Sequence, residues 1–181
     1  MKVAYCTGFW CTNIGNGFFS LGVAHVLKQI LGNENVTMVS DYQTYTTSYG
    51  RRVFPHKNQL DYIAKLDVDY IVLAGPVLSK YFLSLWKDTL LALKERGVGY
   101  MILSCGTMKL DAASKIEIKK FFDACPPYIF TSREADTYQA FGSHAINAYD
   151  GICFSFFAPD YYSPCKVDFG RPYWISNFDK I

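Results

Sequence analysis

The sequence predicts an α/β fold with a doubly wound, mostly parallel sheet. Half of the 181 residues are hydrophobic and 19% are charged, so the chain can fill one sizeable core. Short β-like runs alternate with segments of helical period, which is the pattern of a parallel sheet with crossover helices. One run, YIVLA at 70–74, is typical of a strand buried on both faces. Together these observations predict a Rossmann-like architecture.

The first half of the chain supplies three of the predicted strands. A helix is expected from about Gly17, where apolar residues begin to recur at helical spacing, to the stop at Gly32 and Asn33. The polar stretch 41–58 has neither period, and we predict a surface loop there, followed by a short helix around 59–66. The three strands are predicted at 3–6, 36–40 and 70–74.

The second half continues the alternation. A helix with Leu83, Trp86, Leu90 and Leu93 on one face should close at Gly97, and another should begin at an Asp111 cap and stop before Pro126. Thr131 and Glu134 stand in a capping-box relation, which predicts a helix with Ser132 and Arg133 in its first turn and with Tyr138 and Phe141 facing inward. Further strands are predicted at 100–103, 128–130 and 145–147.

The pattern weakens near the C-terminus. Prolines at 159, 164 and 172 punctuate a stretch of aromatic residues there. We therefore divide the chain into a Rossmann-like domain at 1–158 and an aromatic, proline-containing tail at 159–181.

Composition excludes several classes of protein. The formal net charge is only +2 and the basic residues are spread along the chain, so nucleic acid is not an expected partner. The six cysteines form no CxxC and no Cys/His spacing suited to zinc, and neither a metal nor a cofactor is expected. The sequence has no apolar run of ~18 residues and no signal-peptide pattern at its N-terminus. We expect reduced cysteines, no membrane span and a cytoplasmic location.

Candidate ligand sites are the loops that follow the strands, because ligands of open parallel sheets collect at the carboxyl ends of the strands. The TNIGNG stretch at 12–17 has glycines that let backbone approach a ligand, although it matches neither GxGxxG nor GxxxxGK[ST] and could be a plain turn and helix cap. The candidate loops are 7–16, 75–76, 104–107, 132–133 and 150–151.

Arg133 is the most informative residue in these loops. A guanidinium in the first turn of a helix opposes the helix dipole, which suggests that it meets an anion. The alternative is a structural ion pair with Asp136 or Asp150. An anion contact and a structural pair therefore both remain open for this residue.

Other reactive residue types carry weaker signals. The histidines, His25, His56 and His144, have no partner at ligand spacing, and solvated or singly hydrogen-bonded roles are favoured for them. Cys105 stands in a strand-end loop, where it could be a nucleophile, but a packing role is favoured. The aromatic tail could stack on sugar, seal a sheet edge or form a dimer contact.

The strand-end loops, taken in order over residues 1 to about 158, resemble the polysaccharide pyruvyl transferase family. Single matches are short, and their order and spacing carry the likeness. The family often has Asp where this chain has Asn16. The matching stretches are NIGN at 13–16, DYIVLAG at 69–75, CG at 105–106, SRE at 132–134, and Asp150.

The resemblance implies a function. Family members look like two-domain GT-B-type proteins that transfer pyruvate from phosphoenolpyruvate to two sugar hydroxyls as a ketal, with release of phosphate. The expected partners are thus a small anionic donor and a saccharide acceptor. The resemblance implies an anion contact for Arg133 and assigns no catalytic residue. Substrate-binding roles are expected for Asn13, Gly15, Asn16, Gly75, Gly106, Arg133 and Asp150.

The likeness covers only one half of a GT-B-type fold. The second domain would need at least another ~100 residues. The chain would then be a truncated piece, a naturally short relative, or a subunit that completes its site through a homo-oligomer or a second domain in trans. Two alternative functions stay open: a non-catalytic binding or assembly module of the same fold, and a nucleotide-sugar-binding, glycosyltransferase-like domain.

Overall fold

A computed structural model describes residues 1–7, 14–40, 62–108 and 110–161, without the side chains of Ile14 and Tyr161. The predicted loop at 41–58 and most of the tail lie outside these residues. No helix in the described ranges is long and apolar enough to cross a membrane.

The predicted doubly wound α/β architecture is confirmed. Six strands form one sheet in the order β2-β1-β3-β5-β7-β8, and every neighbouring pair is parallel. The two shortest strands, β4 and β6, pair separately beyond the ends of β3 and β5. The strands are β1 (Val3–Thr7), β2 (Val36–Ser40), β3 (Tyr70–Ala74), β4 (Leu78–Ser79), β5 (Gly99–Cys105), β6 (Thr107–Met108), β7 (Ile129–Ser132) and β8 (Asn147–Asp150).

Helices cover both faces of the sheet, because successive buried side chains of a strand point to opposite faces and both faces are apolar. Val3 and Tyr5 pack with the first helix, whereas Ala4 and Cys6 pack with the next three. The first helix therefore forms one layer, and the next three form the layer on the opposite face. The helices are α1 (Ile14–Leu31), α2 (Phe82–Glu95), α3 (Ala112–Ala124), α4 (Ala135–Phe141) and α5 (Ala158–Tyr161).

The strand order reverses direction between β1 and β3. From β1 the chain moves outward to β2, then crosses back to β3 on the other side of β1. Connections on the two sides leave the sheet toward opposite faces, which opens a crevice at the carboxyl ends of these strands.

Several predicted boundaries are confirmed. The strands at 36–40 and 70–74 have the predicted bounds. The Asp111 side chain accepts a hydrogen bond from the Ser114 amide at 2.7 Å as the cap of α3. Gly97 has φ 76°, the left-handed conformation of a C′ glycine after α2.

Other boundaries were wrong. Helix α1 begins at Ile14, so Gly15 and Asn16 lie in its first turn and not in a loop before Gly17. Strand β5 continues through Ser104 and Cys105, because both are buried and Cys105 pairs with Ser132. The last strand is shifted to 147–150 and contains Asp150. Helix α5 spans the predicted domain boundary at 158, and the division stays a prediction.

The predicted capping box of α4 was also wrong. The Thr131 hydroxyl accepts a hydrogen bond from the Ser104 amide at 2.7 Å and so joins two strands. Helix α4 begins at Ala135, with Glu134 at the cap position. Arg133 therefore precedes the helix and does not lie in its first turn.

Candidate functional site

A pocket of about 390 Å³ lies at the carboxyl ends of the parallel strands. It is lined by segments that follow β1, β3, β5 and β7, and by the segment after β8, so residues distant in sequence meet there. This position is the one expected for a ligand site in a doubly wound sheet. The lining residues are Gly15, Asn16, Phe19, Pro76, Thr107, Met108, Arg133, Cys153 and Ser155.

Arg133 reaches the pocket from the junction between β7 and α4. Its amide donates to the carbonyl of Cys105 at 3.0 Å, and the neighbouring Ser132 hydroxyl lies 3.0 Å from the Glu134 amide. These bonds fix the backbone on both sides of Arg133. Its side chain is 29% exposed, so the guanidinium is partly desolvated but can still meet a ligand.

Glu134 is the ion-pair partner of Arg133, instead of the Asp136 or Asp150 considered from the sequence. The Arg133 Nε atom lies 3.6 Å from Glu134 Oε1. The other carboxylate oxygen accepts a hydrogen bond from the Thr137 hydroxyl at 3.0 Å. Because a guanidinium has five N–H donors, this pairing orients Arg133 and leaves donors for a ligand.

Gly106 lies directly against this ion pair. A Cβ at position 106 would come within 2.7 Å of Glu134 Oε1 and 2.9 Å of Arg133 Nε. Its amide also donates to the carbonyl of Gly75 at 3.2 Å, which ties two of the strand-end segments together. Gly106 thus supports the position of the guanidinium without lining the pocket.

Ser104 brings the segment after β8 to the pocket. It has φ 50°, in the left-handed region that costs most residues ~1–2 kcal/mol. In this conformation its hydroxyl donates to the carbonyl of Ile152 and accepts from the amide of Phe154, both at 3.1 Å. These two bonds hold Cys153 between them, beside the pocket.

Cys153 has polar neighbours on two sides. Its sulfur lies 3.1 Å from the Ser155 hydroxyl and accepts a hydrogen bond from Arg133 Nη1 at 3.7 Å. Burial acts to raise the pKa of this thiol, but the hydrogen bonds from Ser155 and Arg133 and the charge of Arg133 outweigh burial and lower the pKa.

Cys105 has the opposite environment. The residue is fully buried, and burial raises the pKa of its thiol far above the ordinary value. A thiol held neutral in this way is a poor nucleophile, which favours the packing role considered from the sequence. None of the cysteines in the described residues forms a disulfide.

The structure brings three of the predicted site residues to the pocket: Gly15, Asn16 and Arg133. Gly75 lies beside the lining residue Pro76, with φ 81°, and a Cβ at this position would come within 3.0 Å of the Phe19 ring. Gly106 contacts the Arg133 pair, as described above. Asp150 is exposed at the end of β8 and does not line the pocket. Asn13 lies outside the described residues, as do His56 and the tail from 162 onward.

Sequence reasoning missed Cys153 and Ser155. The segment around them has no helical or strand period, and it reaches the pocket through contacts with Ser104 and α1. Of the two described histidines, His144 has its ring nitrogen Nδ1 2.6 Å from Asp123 Oδ1, and neither His25 nor His144 lines the pocket. Among the described residues no group of three acidic, His or Cys side chains could hold a metal.

Comparisons with known proteins give no family for this chain. No protein-family model matches it, and searches of curated proteins and of solved structures found no match.

Proposed function

We propose that the pocket binds a small anion and that the protein is polysaccharide pyruvyl transferase-like. In this proposal it moves a pyruvyl ketal from phosphoenolpyruvate to a saccharide. The observation that carries the proposal is the position of Arg133, whose guanidinium lines the same pocket as Gly15 and Asn16 in the first turn of α1. The resemblance named these residues independently of the geometry.

Two sources of positive potential meet at the pocket. Arg133 carries a charge that persists at every ordinary pH. The first turn of α1 contains no acidic residue, and a helix N-terminus carries a positive partial charge that favours anions. Both sources act on the same volume, about 390 Å³, which is within the range of small-ligand sites.

Pyruvyl transfer needs this kind of charge. Phosphoenolpyruvate carries a carboxylate and a phosphate, and both must be neutralised before a sugar hydroxyl can approach. In the reaction two sugar hydroxyls lose their protons and their oxygens bond to the central carbon. The vinyl carbon gains one proton, the bond from the central carbon to the phosphate oxygen breaks, and phosphate leaves with the bonding pair and the second proton. Arg133 would bind one anionic group of the donor and stabilise charge on the departing phosphate. A second domain or a second copy of the chain would supply the saccharide side of the cleft.

Loss of Arg133 should weaken donor binding and slow turnover. The full chain, incubated with phosphoenolpyruvate and a panel of nucleotide-linked and free oligosaccharides, should release phosphate and form a pyruvylated sugar detectable by mass spectrometry. Arg133→Gln should reduce turnover ~10- to 150-fold, since a hydrogen bond to a charged group is worth about 1.5–3 kcal/mol. The turnover of Arg133→Lys should lie between that of wild type and that of Arg133→Gln, because lysine keeps the positive charge but lacks the planar guanidinium fork.

The same experiment separates the alternatives. Turnover that is equal in wild type and Arg133→Gln would contradict the proposed site. Arg133-dependent binding of phosphoenolpyruvate without any product would favour the non-catalytic module. Binding of nucleotide sugars in preference to phosphoenolpyruvate would favour the glycosyltransferase-like reading.

Gly106→Ala should weaken donor binding without unfolding the protein. The new Cβ would displace Glu134 and Arg133, which are the ends of flexible side chains, so we expect the free energy of unfolding to change by less than about 1 kcal/mol. The guanidinium would leave its present position, and affinity for phosphoenolpyruvate should fall several-fold. Calorimetric titration beside a urea unfolding curve measures both quantities. Unchanged affinity would show that the guanidinium position is unimportant.

A further inference from the structure

The pocket contains a thiol that has no role in the proposed pyruvyl transfer. Cys153 lines the pocket together with Ser155 and Arg133, and its sulfur contacts both side chains. The three groups form a cluster at one wall, in which a hydroxyl and a fixed positive charge lie within hydrogen-bonding distance of the sulfur.

Cys153 differs from the other cysteines in the described part of the chain. Cys6, Cys105 and Cys125 are buried in the apolar core, whereas Cys153 is only partly buried and faces the pocket. The backbone around it is fixed by Ser104, as described above, so the sulfur is held in place and does not depend on a loop closing over a ligand.

We propose that Cys153 is a nucleophile for small anionic electrophiles, which Arg133 holds through their carboxylate or phosphate group. Arg133 Nη1 lies 3.7 Å from the sulfur. When the guanidinium binds an anionic group, an electrophilic carbon that is one or two bonds from that group is therefore brought close to the sulfur. The lowered pKa of the Cys153 thiol increases the fraction of reactive thiolate relative to an ordinary cysteine. This inference rests on the anion-binding role of Arg133 in the proposed function, but not on pyruvyl transfer.

The covalent step is a substitution at carbon. The thiol loses its proton to solvent, and the thiolate electron pair forms a carbon–sulfur bond. The bond from that carbon to its leaving group breaks, and the leaving group departs with the bonding pair. No oxidant or reductant takes part.

Iodoacetate and iodoacetamide form a matched pair of probes, since they differ in charge and share the reacting carbon and the iodide leaving group. The full chain is treated with each, and the rate at all six cysteine positions is followed by peptide mass mapping. We expect the ratio of the iodoacetate rate to the iodoacetamide rate at Cys153 to be at least ~10-fold higher in the folded protein than in urea. Equal ratios in the two states would overturn the proposal.

Two variants separate steering from activation. Arg133→Gln should return the rate ratio to its value in urea, whereas Ser155→Ala should slow both reagents equally and leave the ratio unchanged. Circular dichroism first establishes whether each variant is folded like wild type. If either variant is unfolded, the proposal is judged from the wild-type protein alone, by the difference in its rate ratio between the folded state and urea. A high ratio that persists in Arg133→Gln would also overturn the proposal.

Phosphoenolpyruvate distinguishes this proposal from the proposed function. If Cys153 is labelled selectively by iodoacetate and phosphoenolpyruvate does not slow the labelling, the proposal that Cys153 is a nucleophile is supported. The same result contradicts binding of phosphoenolpyruvate at this pocket. In the opposite case, calorimetry shows Arg133-dependent binding of phosphoenolpyruvate, but the ratio of iodoacetate to iodoacetamide rates at Cys153 is the same in folded and unfolded protein. That result overturns the proposal for Cys153 and leaves the proposed function standing.

Discussion

Gly22→Ala should displace the segment 153–158 from α1 and take Cys153 and Ser155 out of the pocket. Gly22 is buried in α1, and a Cβ there would overlap the carbonyl oxygen of Phe154. That oxygen belongs to backbone, so the segment must move as a whole. Such overpacking costs about 1–3 kcal/mol, against about 1 kcal/mol that Ala gains over Gly inside a helix.

Hydrogen exchange measures this displacement directly. In Gly22→Ala the amides of 153–158 should lose protection while those of β1 and β3 keep theirs, because the amides of these strands are held by pairing with neighbouring strands. Gly17→Ala is the matched control in the same helix, since among the described residues no atom beyond its chain neighbours and the backbone of its own helix lies within 4 Å of the added Cβ. The control should stabilise the protein by up to ~1 kcal/mol. Equal protection of 153–158 in both variants would contradict the packing of this segment on α1.

Phe122→Ala should destabilise the protein by about 3–5 kcal/mol, the range for truncation of a buried aromatic residue. The Phe122 ring is 0% exposed. It packs at centroid distances of 5.9–6.5 Å against four other phenylalanines, drawn from α2, α3, β7 and α4. It therefore links three helices to the sheet, and its loss leaves a cavity that none of them can fill alone.

Urea unfolding followed by circular dichroism measures the loss. Ile116→Ala is the control in the same helix, because its side chain is 54% exposed and its truncation should change stability by less than about 0.5 kcal/mol. A Phe122→Ala midpoint close to that of the control would show that α3 is not packed as described.

The sequence predicted the sheet better than the helix starts. Strands β2 and β3 were predicted with their observed bounds, since each is a short apolar run that stops at polar residues or glycine. The start of α1 was placed three residues late, because Gly15 and Asn16 have low helix propensity and look like loop residues. The cap of α4 was wrong because Thr131 is used between strands, a tertiary contact that no local pattern reveals.

The site was predictable where it depends on topology. Gly15, Asn16 and Arg133 were expected to lie close together because they follow parallel strands, and all three line one pocket. Cys153 and Ser155 were not predicted. Their position depends on the left-handed backbone of Ser104, which bonds the segment, and on the absence of a Cβ at Gly22, which lets the segment pack on α1. Both residues are more than 40 positions away from the segment in the sequence.

The most direct test of the account is the affinity of the full chain for phosphoenolpyruvate, measured by calorimetric titration in wild type and Arg133→Gln. We predict that wild type binds one equivalent, that inorganic phosphate competes, and that Arg133→Gln binds at least ~10-fold more weakly. Equal affinity in the two proteins, or no competition by phosphate, would contradict the claim that Arg133 makes this pocket an anion site.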